Sequence, residues 1–291
     1  MPRIGFIGLG AMGRPIALRL LRAGYPVNVY ARTSTAAAPL VDGGAIGHES
    51  PRRVASASDI VFTMVTATAD VEAVVLGEDG VVHGAVAGSI VVDMSTISPE
   101  GTRRIAAVLV ERGIEMVDAP VSGGPSAAEA GTLAVMAGGS DAAIARVSPL
   151  FDCFARSVTH VGASGTGQIA KACNQLALCV ALEGVAESLA LCERLGADPA
   201  RVRAAMLNGL AASRVMEVFG ARMLNRDFEN GVESRLHHKD LHIVLDLAHG
   251  LGLAIPAAAA TKQTFNALMG RGGGRKDSAA LLQILLGEAG T

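Results

Sequence analysis

Residues 3–16 read RIGFIGLGAMGRPI, from Arg3 to Ile16, and they set the architecture of the first half of the chain. A short apolar run, Ile4 to Ile7, leads into Gly8-x-Gly10-x-x-Gly13, and an apolar pattern at helical spacing continues to Leu21. Strand, glycine turn and helix in that order form the first unit of a dinucleotide-binding sheet. Gly8 permits the tight turn, Gly10 lets a pyrophosphate approach the backbone, and Gly13 lets the helix pack close to the strand. The anion then meets unsatisfied N–H groups at the positive end of the helix, with Ala11 and Met12 beside it. Glycine alone would mean little in a chain with 35 of them. Their place between a buried strand and a helix gives them weight.

The rest of the composition narrows the class. Half of the 291 residues are hydrophobic, enough for a large core and, at this length, for two domains. A net charge of −2 argues against a nucleic-acid partner. Cys153, Cys173, Cys179 and Cys192 show neither CxxC nor metal-ligand spacing, and they read as small buried side chains in a reducing compartment. The N-terminal apolar run is too short for a signal peptide. The apolar stretch 172–191 carries Asn174, Glu183 and Glu187, which suit a membrane span poorly. These features lead us to expect a cytoplasmic protein without a membrane partner. Of the 25 basic residues only four are lysine: Lys171, Lys239, Lys262 and Lys276. Arginine keeps its proton, whereas a desolvated lysine can lose it, so lysines retained in an arginine-rich chain are candidates for proton transfer.

Outward from the glycine turn, β-like runs alternate with helical patterns, as a parallel sheet requires. Strands are expected at 4–7, 27–30, 60–64, 90–93 and 116–118, with 133–137 and 158–161 closing the domain. Helices are expected at 15–23, 70–76 and 99–112. From Gln168 to Leu195 the apolar positions recur at helical spacing, about twice the usual helix length, which suggests an element spanning two domains. Further helices follow, separated by Asn208-Gly209, Asn230-Gly231, Pro256 and 270–274. The expected organisation is a Rossmann-type α/β dinucleotide-binding domain, 1–162, joined by a long interdomain helix to an all-α substrate and oligomerisation domain, 163–291.

The second strand ends Val29-Tyr30-Ala31-Arg32-Thr33-Ser34, with no acidic residue before Asp42. An NAD site usually places a carboxylate there for the ribose hydroxyls. Arg32 and the Thr33 hydroxyl instead suit a 2′-phosphate, so NADP is expected ahead of NAD; the plainer alternative is a solvated arginine at a strand end. Three further segments are candidates for lining the crevice beside the cofactor. The loop 118–124 offers Ser122 and the N–H groups of Gly123 and Gly124 to a carboxylate, or is simply a turn that ends a strand. The start of the long helix puts Lys171, Asn174 and Gln175 on one face. Desolvation and the helix dipole both favour a neutral Lys171 there, which suits an acid/base group. In the third segment, His238 and His242 have i, i+4 spacing, but without matching acidic partners a polar wall is favoured over a metal site. Lys239 and Asp240 are the stronger candidates, as a substrate cation and the partner that fixes a neighbour.

Together these segments resemble the β-hydroxyacid dehydrogenase family. The likeness rests on GFIGLGAMGRP, VDMSTISP, DAPVSGG, GTLAVMAGG, GTGQIAKACNQ and LHHKDL, and spans nearly the whole chain. Within the family, ADVEAVVLGEDG and GLAASRVMEVFGARM resemble the tartronate semialdehyde reductases. The resemblance implies hydride transfer between NADP(H) and a small 3-hydroxy acid or its semialdehyde, with Lys171 as general acid/base. It implies that Ser122, Gly123 and Gly124 bind the substrate carboxylate, with Asn174 and Lys239 also in the substrate site. Thr96 would lie beside the nicotinamide; Gly8, Gly10, Ala11, Met12, Gly13, Arg32, Thr33, Met64, Val65, Lys239 and Asp240 would border the cofactor. A homodimer or homotetramer is expected. The chain departs from its relatives at Val232, where many carry an aromatic, at Thr66, where a proline is common, and before Asp277-Ser278-Ala279, where it is a residue short. The first and last of these changes touch the substrate domain and leave 3-hydroxyisobutyrate and L-serine open as substrates. A cofactor-binding module without catalysis, or an imine reductase, would be expected to lack Lys171.

Overall fold

In the computed structural model, which describes residues 1–229 and 231–288, the short apolar runs become strands. The strands are β1 (Ile4–Ile7), β2 (Val27–Tyr30), β3 (Ile46–Gly47), β4 (Ile60–Thr63), β5 (Ile90–Asp93), β6 (Glu115–Asp118), β7 (Val121–Ser122), β8 (Leu133–Gly138) and β9 (Ala155–Gly162). Of these, β1, β4 and β5 are buried throughout, while β3 and β9 are largely exposed. The sheet order is β3-β2-β1-β4-β5-β6-β8-β7, with β9 on β8. The first six strands run parallel, and β8 joins antiparallel through Asp118 and Gly138. Successive residues point to opposite faces. Phe6, Phe62, Val92 and Val117 enter one apolar cluster, while Ile7, Val61, Val91 and Met116 enter the other. Such two-sided burial explains why these strands show apolar runs rather than alternation. Phe6 and Phe62 stack at 5.8 Å, and Phe154 meets Phe62 edge-on at 6.3 Å.

The chain leaves β1 toward β2 on one side and returns to β4 on the other. This is the switch point where doubly wound sheets open a crevice at the strand carboxyl ends.

Two compact units divide the chain, Met1–Lys171 and the remainder from Ala172. The division falls within one helix, Thr166–Arg194. By length and composition that helix could cross a membrane, although half of its apolar window is buried within the protein. The second unit is helical: Pro199–Leu207, Arg214–Leu224, Ser234–Gly250, Pro256–Gly270 and Leu281–Leu286 follow the long helix. Leu182, Ala186, Met223, Leu241, Phe265 and Leu281 form part of its core. Asp198 and Ser213 cap two of these helices by accepting N–H groups of their first turns. In the expected Asn230-Gly231 turn, Asn230 lies outside the described residues.

Two expectations need correction. The segment 118–124 is not one loop: Val121–Ser122 pairs with β8, and a helix, Gly124–Ala130, begins at once. Gly123 makes the change of direction at φ +136°, where an added Cβ would meet that of Ala127 at 2.6 Å. Nor are all the cysteines buried. Cys179 and Cys192 are, but Cys153 is half-buried and Cys173, on the long helix, is exposed.

Candidate active site

The glycine turn has three distinct geometries. Gly8 sits at φ +96°, and a Cβ there would lie 2.3 Å from the Met64 carbonyl oxygen. At Gly13 a Cβ would lie 2.0 Å from the Gly8 carbonyl oxygen and 3.0 Å from the Phe6 ring, so helix Gly13–Arg22 rests directly on turn and strand. Gly10 is the opposite case, exposed and with nothing among the described residues within 4 Å of the added atom. The helix start has no side-chain cap and no acidic residue in its first turn. Helices beginning after Ser50, Ser98, Ser140 and Ser213 each have the serine hydroxyl on an N–H of the first turn. An uncapped positive helix end beside an open glycine fits a dinucleotide pyrophosphate.

Around this turn stand the other expected cofactor residues. Ala11 is exposed and Met12 half-buried. Arg32 and Thr33 are exposed directly after β2, and no acidic residue follows in the sequence before Asp42. Met64 and Val65, both half-buried, follow β4 at the switch point, and the Met64 N–H bonds to the Ile7 carbonyl at 2.9 Å.

Behind Val65 lies a buried polar network. The Val65 N–H donates to Ser95 Oγ at 2.9 Å, and the Ser95 N–H donates to Asp93 Oδ1 at 3.2 Å. Asp93 Oδ1 also accepts the Thr63 hydroxyl at 2.8 Å. Full burial pushes the Asp93 carboxyl up to about 6, against the pull of these hydrogen bonds. Asp118, its partner across β5 and β6, is likewise raised by burial and accepts the N–H groups of Gly165 at 2.6 Å and Gln168 at 2.9 Å. Asp118 thereby holds the first turn of the long helix, where a negative charge is favoured. The Gln168 side chain reaches back to bond Ser95 and Ile97, on either side of half-buried Thr96. Lys171, 7% exposed, lies three residues further along the helix. Ser122, at the end of β7, and Gly124 are half-buried, while Gly123 is exposed.

In the second unit, four polar residues form a chain. Asn174 Nδ2 donates to Gln175 Oε1 at 2.9 Å, and Gln175 Nε2 donates to Asp240 Oδ2 at 2.6 Å. Asp240 Oδ1 lies 2.8 Å from Lys239 Nζ. The structure thus brings Asn174, Lys239 and Asp240 together through Gln175. His238 Nε2 meets Asn266 Oδ1 at 2.8 Å, and His242 Nε2 lies 3.5 Å from Asp246. Val232 is half-buried, and its N–H donates to Asp277, a buried carboxylate paired with Arg222 at 2.7 Å.

Sequence reasoning placed Asp118 only as the start of a turn and did not single out Asp93, Ser95 or Gln168. The available signal was a carboxylate ending each of two adjacent apolar strands. Buried carboxylates need partners, and helix-terminal N–H groups are ready donors.

Comparison with known proteins converges on one family. Residues 3–162 match the family described as the NAD binding domain of 6-phosphogluconate dehydrogenase. Residues 165–285 match that described as NAD-binding of NADP-dependent 3-hydroxyisobutyrate dehydrogenase. The chain is 43% identical to 2-hydroxy-3-oxopropionate reductase of Escherichia coli K12 over 97% of both chains. The chain belongs to the β-hydroxyacid dehydrogenase family. As a member, it is an NAD(P)-dependent oxidoreductase of Rossmann fold with a helical second part. An NAD-dependent L-serine dehydrogenase of Pseudomonas aeruginosa is 34% identical, covering 98% of each chain. The solved structure of Mycobacterium tuberculosis 3-hydroxyisobutyrate dehydrogenase with L-serine superposes with a TM-score of 0.90, at 29% identity over 98% of this chain and 99% of that one.

Proposed function

We propose that this β-hydroxyacid dehydrogenase reduces tartronate semialdehyde to glycerate with NADPH. The observation that carries the proposal is the 43% identity, end to end, with the Escherichia coli 2-hydroxy-3-oxopropionate reductase. The preference for NADP is supported by exposed Arg32 and Thr33 after β2, where no acidic residue stands. When bound, the reduced nicotinamide supplies a hydride to the aldehyde carbon. Lys171 gives a proton to the oxygen as it becomes an alkoxide, and in the reverse direction its neutral amine takes the hydroxyl proton. Ser122 and the N–H groups of Gly123 and Gly124 hold the substrate carboxylate. Asn174 and Lys239 also bind substrate, with Asp240 and Gln175 fixing their side chains.

The test is NADPH oxidation, then NADH oxidation, across a panel of short semialdehydes, with glycerate, 3-hydroxyisobutyrate and L-serine in the reverse direction. The highest kcat/KM belongs to tartronate semialdehyde with NADPH; a higher value for L-serine or 3-hydroxyisobutyrate refutes the substrate assignment. Lys171→Ala lowers turnover by roughly 10²–10⁴-fold, the range of a positioned proton transfer, and leaves NADPH affinity intact. Equal loss of both makes Lys171 structural. The same reading includes a homodimer or homotetramer, supported by large apolar side chains that a single chain leaves in solvent, among them Leu191 and Leu195. Light scattering on the purified protein decides that point.

A further inference from the structure

Gln168 lies in the first turn of the long helix, 1% exposed, three residues before Lys171. Its side-chain amide makes two hydrogen bonds, both to peptide groups flanking Thr96. Nε2 donates to the Ser95 carbonyl at 2.7 Å, and Oε1 accepts the Ile97 N–H at 3.1 Å. A primary amide offers a donor and an acceptor side by side in one plane, so it grips a main chain much as a neighbouring strand would. From the other side Asp118 fixes the same residue, accepting the Gln168 N–H at 2.9 Å. One side chain therefore ties the turn that leads to Lys171 to the loop that carries Thr96. Ser95 Oγ extends the tie to the Val65 N–H at the end of β4.

We propose that Gln168 is a positioning residue that sets the proton-transfer group Lys171 against the loop carrying Thr96. The inference rests on the acid/base reading of Lys171. If the amide is lost, the Ser95 carbonyl and Ile97 N–H are left unpaired inside the protein, and loop and helix lose their common reference. A misplacement of about 1 Å costs on the order of 10²-fold in rate. The hydrogen bonds of its side chain run to the loop of Thr96 and not to the glycine turn or Arg32, so NADPH affinity falls less than the rate does.

Two variants of the full chain test this, Gln168→Leu and Gln168→Glu. The readouts are single-turnover hydride transfer from NADPH to the preferred semialdehyde, NADPH binding and melting temperature. Gln168→Leu slows transfer by on the order of 10²-fold at every pH, a larger loss than its loss of NADPH affinity. Gln168→Glu behaves differently. Its ionised carboxylate still accepts from Ile97 but faces the Ser95 carbonyl without a proton to give; protonated, it restores both bonds. The charged groups around it are Asp118 on its own N–H, Asp93 on the Ser95 N–H, Lys171 one turn on, and Arg103 packed against Gly165. Burial and the two carboxyls favour the protonated form.

The rate of Gln168→Glu relative to wild type therefore climbs as pH falls, a rescue that simple packing loss does not produce. Should Gln168→Leu fail to fold, the pH dependence of Gln168→Glu decides alone. The inference is overturned if Gln168→Leu transfers hydride at the wild-type rate, or if the Gln168→Glu ratio is flat with pH. Lys171→Ala is measured alongside. Wild-type turnover there defeats the acid/base reading itself, whereas an inactive Lys171→Ala beside an unimpaired Gln168→Leu defeats only the role given to Gln168.

Discussion

The glycine turn and the network around Gln168 both fix backbone beside the candidate site, and they do so by opposite means. The turn works through missing side chains over six residues, 8–13, where Gly8 and Gly13 pack closer than any Cβ allows. The network works through polar side chains gathered from the ends of β4, β5 and β6 and the long helix, across 71 and 73 residues of sequence in the two Gln168 contacts. A device built from absent atoms has a fixed local spacing. One built from long-range hydrogen bonds has none, and it buries charge. The cheaper device is thus also the legible one, and the costlier one is found through its electrostatics.

The largest expected effect lies on the costly side. Asp93 is fully buried, its Oδ2 has no hydrogen-bond partner among the described residues, and its carboxyl is pushed up to about 6 by burial. Because the folded pKa lies above the unfolded 3.8, the folded protein holds this proton as pH rises while the unfolded chain releases it. Stability from this group is therefore intact below the unfolded pKa, falls between about 4 and 6, and stays low above. At pH 8 the cost is on the order of 3 kcal/mol. Asp93→Asn keeps an oxygen for Thr63 and Ser95 and removes the charge. In urea titrations it is more stable than wild type at pH 8 by up to about that amount, and the gap closes near pH 4. A gap that persists at pH 4 would show that the charge is not its cause.

The same contrast governs what the sequence disclosed. The strands at 4–7, 27–30 and 90–93 lie where apolar runs place them, because burial on both faces leaves a mostly apolar string, broken in the second strand only by buried Asn28. Ile46–Gly47 and Val121–Ser122 are two residues each, too short for any period to register. Helices Pro51–Ser56 and Asp141–Phe151 carried a readable sign, a serine whose hydroxyl accepts an N–H three residues on. In the candidate site, Asn174, Lys239 and Asp240 were visible as two separate motifs. Gln175 as the bridge between them was not, because a bond across 65 residues leaves no local trace. Asp118 and Gln168 were hidden for the same reason.

On the legible side, the end of β2 offers a sharper test. Arg32 is exposed, so its contribution to a 2′-phosphate is moderated by solvent, yet hydrogen bonds to charged groups retain about 1.5–3 kcal/mol. Arg32→Gln lowers NADPH affinity by on the order of ten- to a hundredfold and leaves NADH affinity unchanged, which collapses the preference between them. Equal effects on both cofactors, measured by fluorescence titration, would reduce Arg32 to an ordinary surface charge.

The smallest effect separates two glycines of one motif. Gly13→Ala brings a Cβ to 2.0 Å from the Gly8 carbonyl oxygen, so backbone must move. Overpacking of that kind costs about 1–3 kcal/mol, and stability and NADPH affinity fall together. Gly10 has no positive φ and nothing within 4 Å of the added methyl, so the folded protein accepts Gly10→Ala without loss of melting temperature. Any penalty must then come from what approaches Gly10 from outside. NADPH affinity drops about tenfold, equivalent to 1.4 kcal/mol, while stability holds. If Gly10→Ala binds NADPH as tightly as wild type, the pyrophosphate does not pass over that residue, and the turn owes its glycines to packing alone.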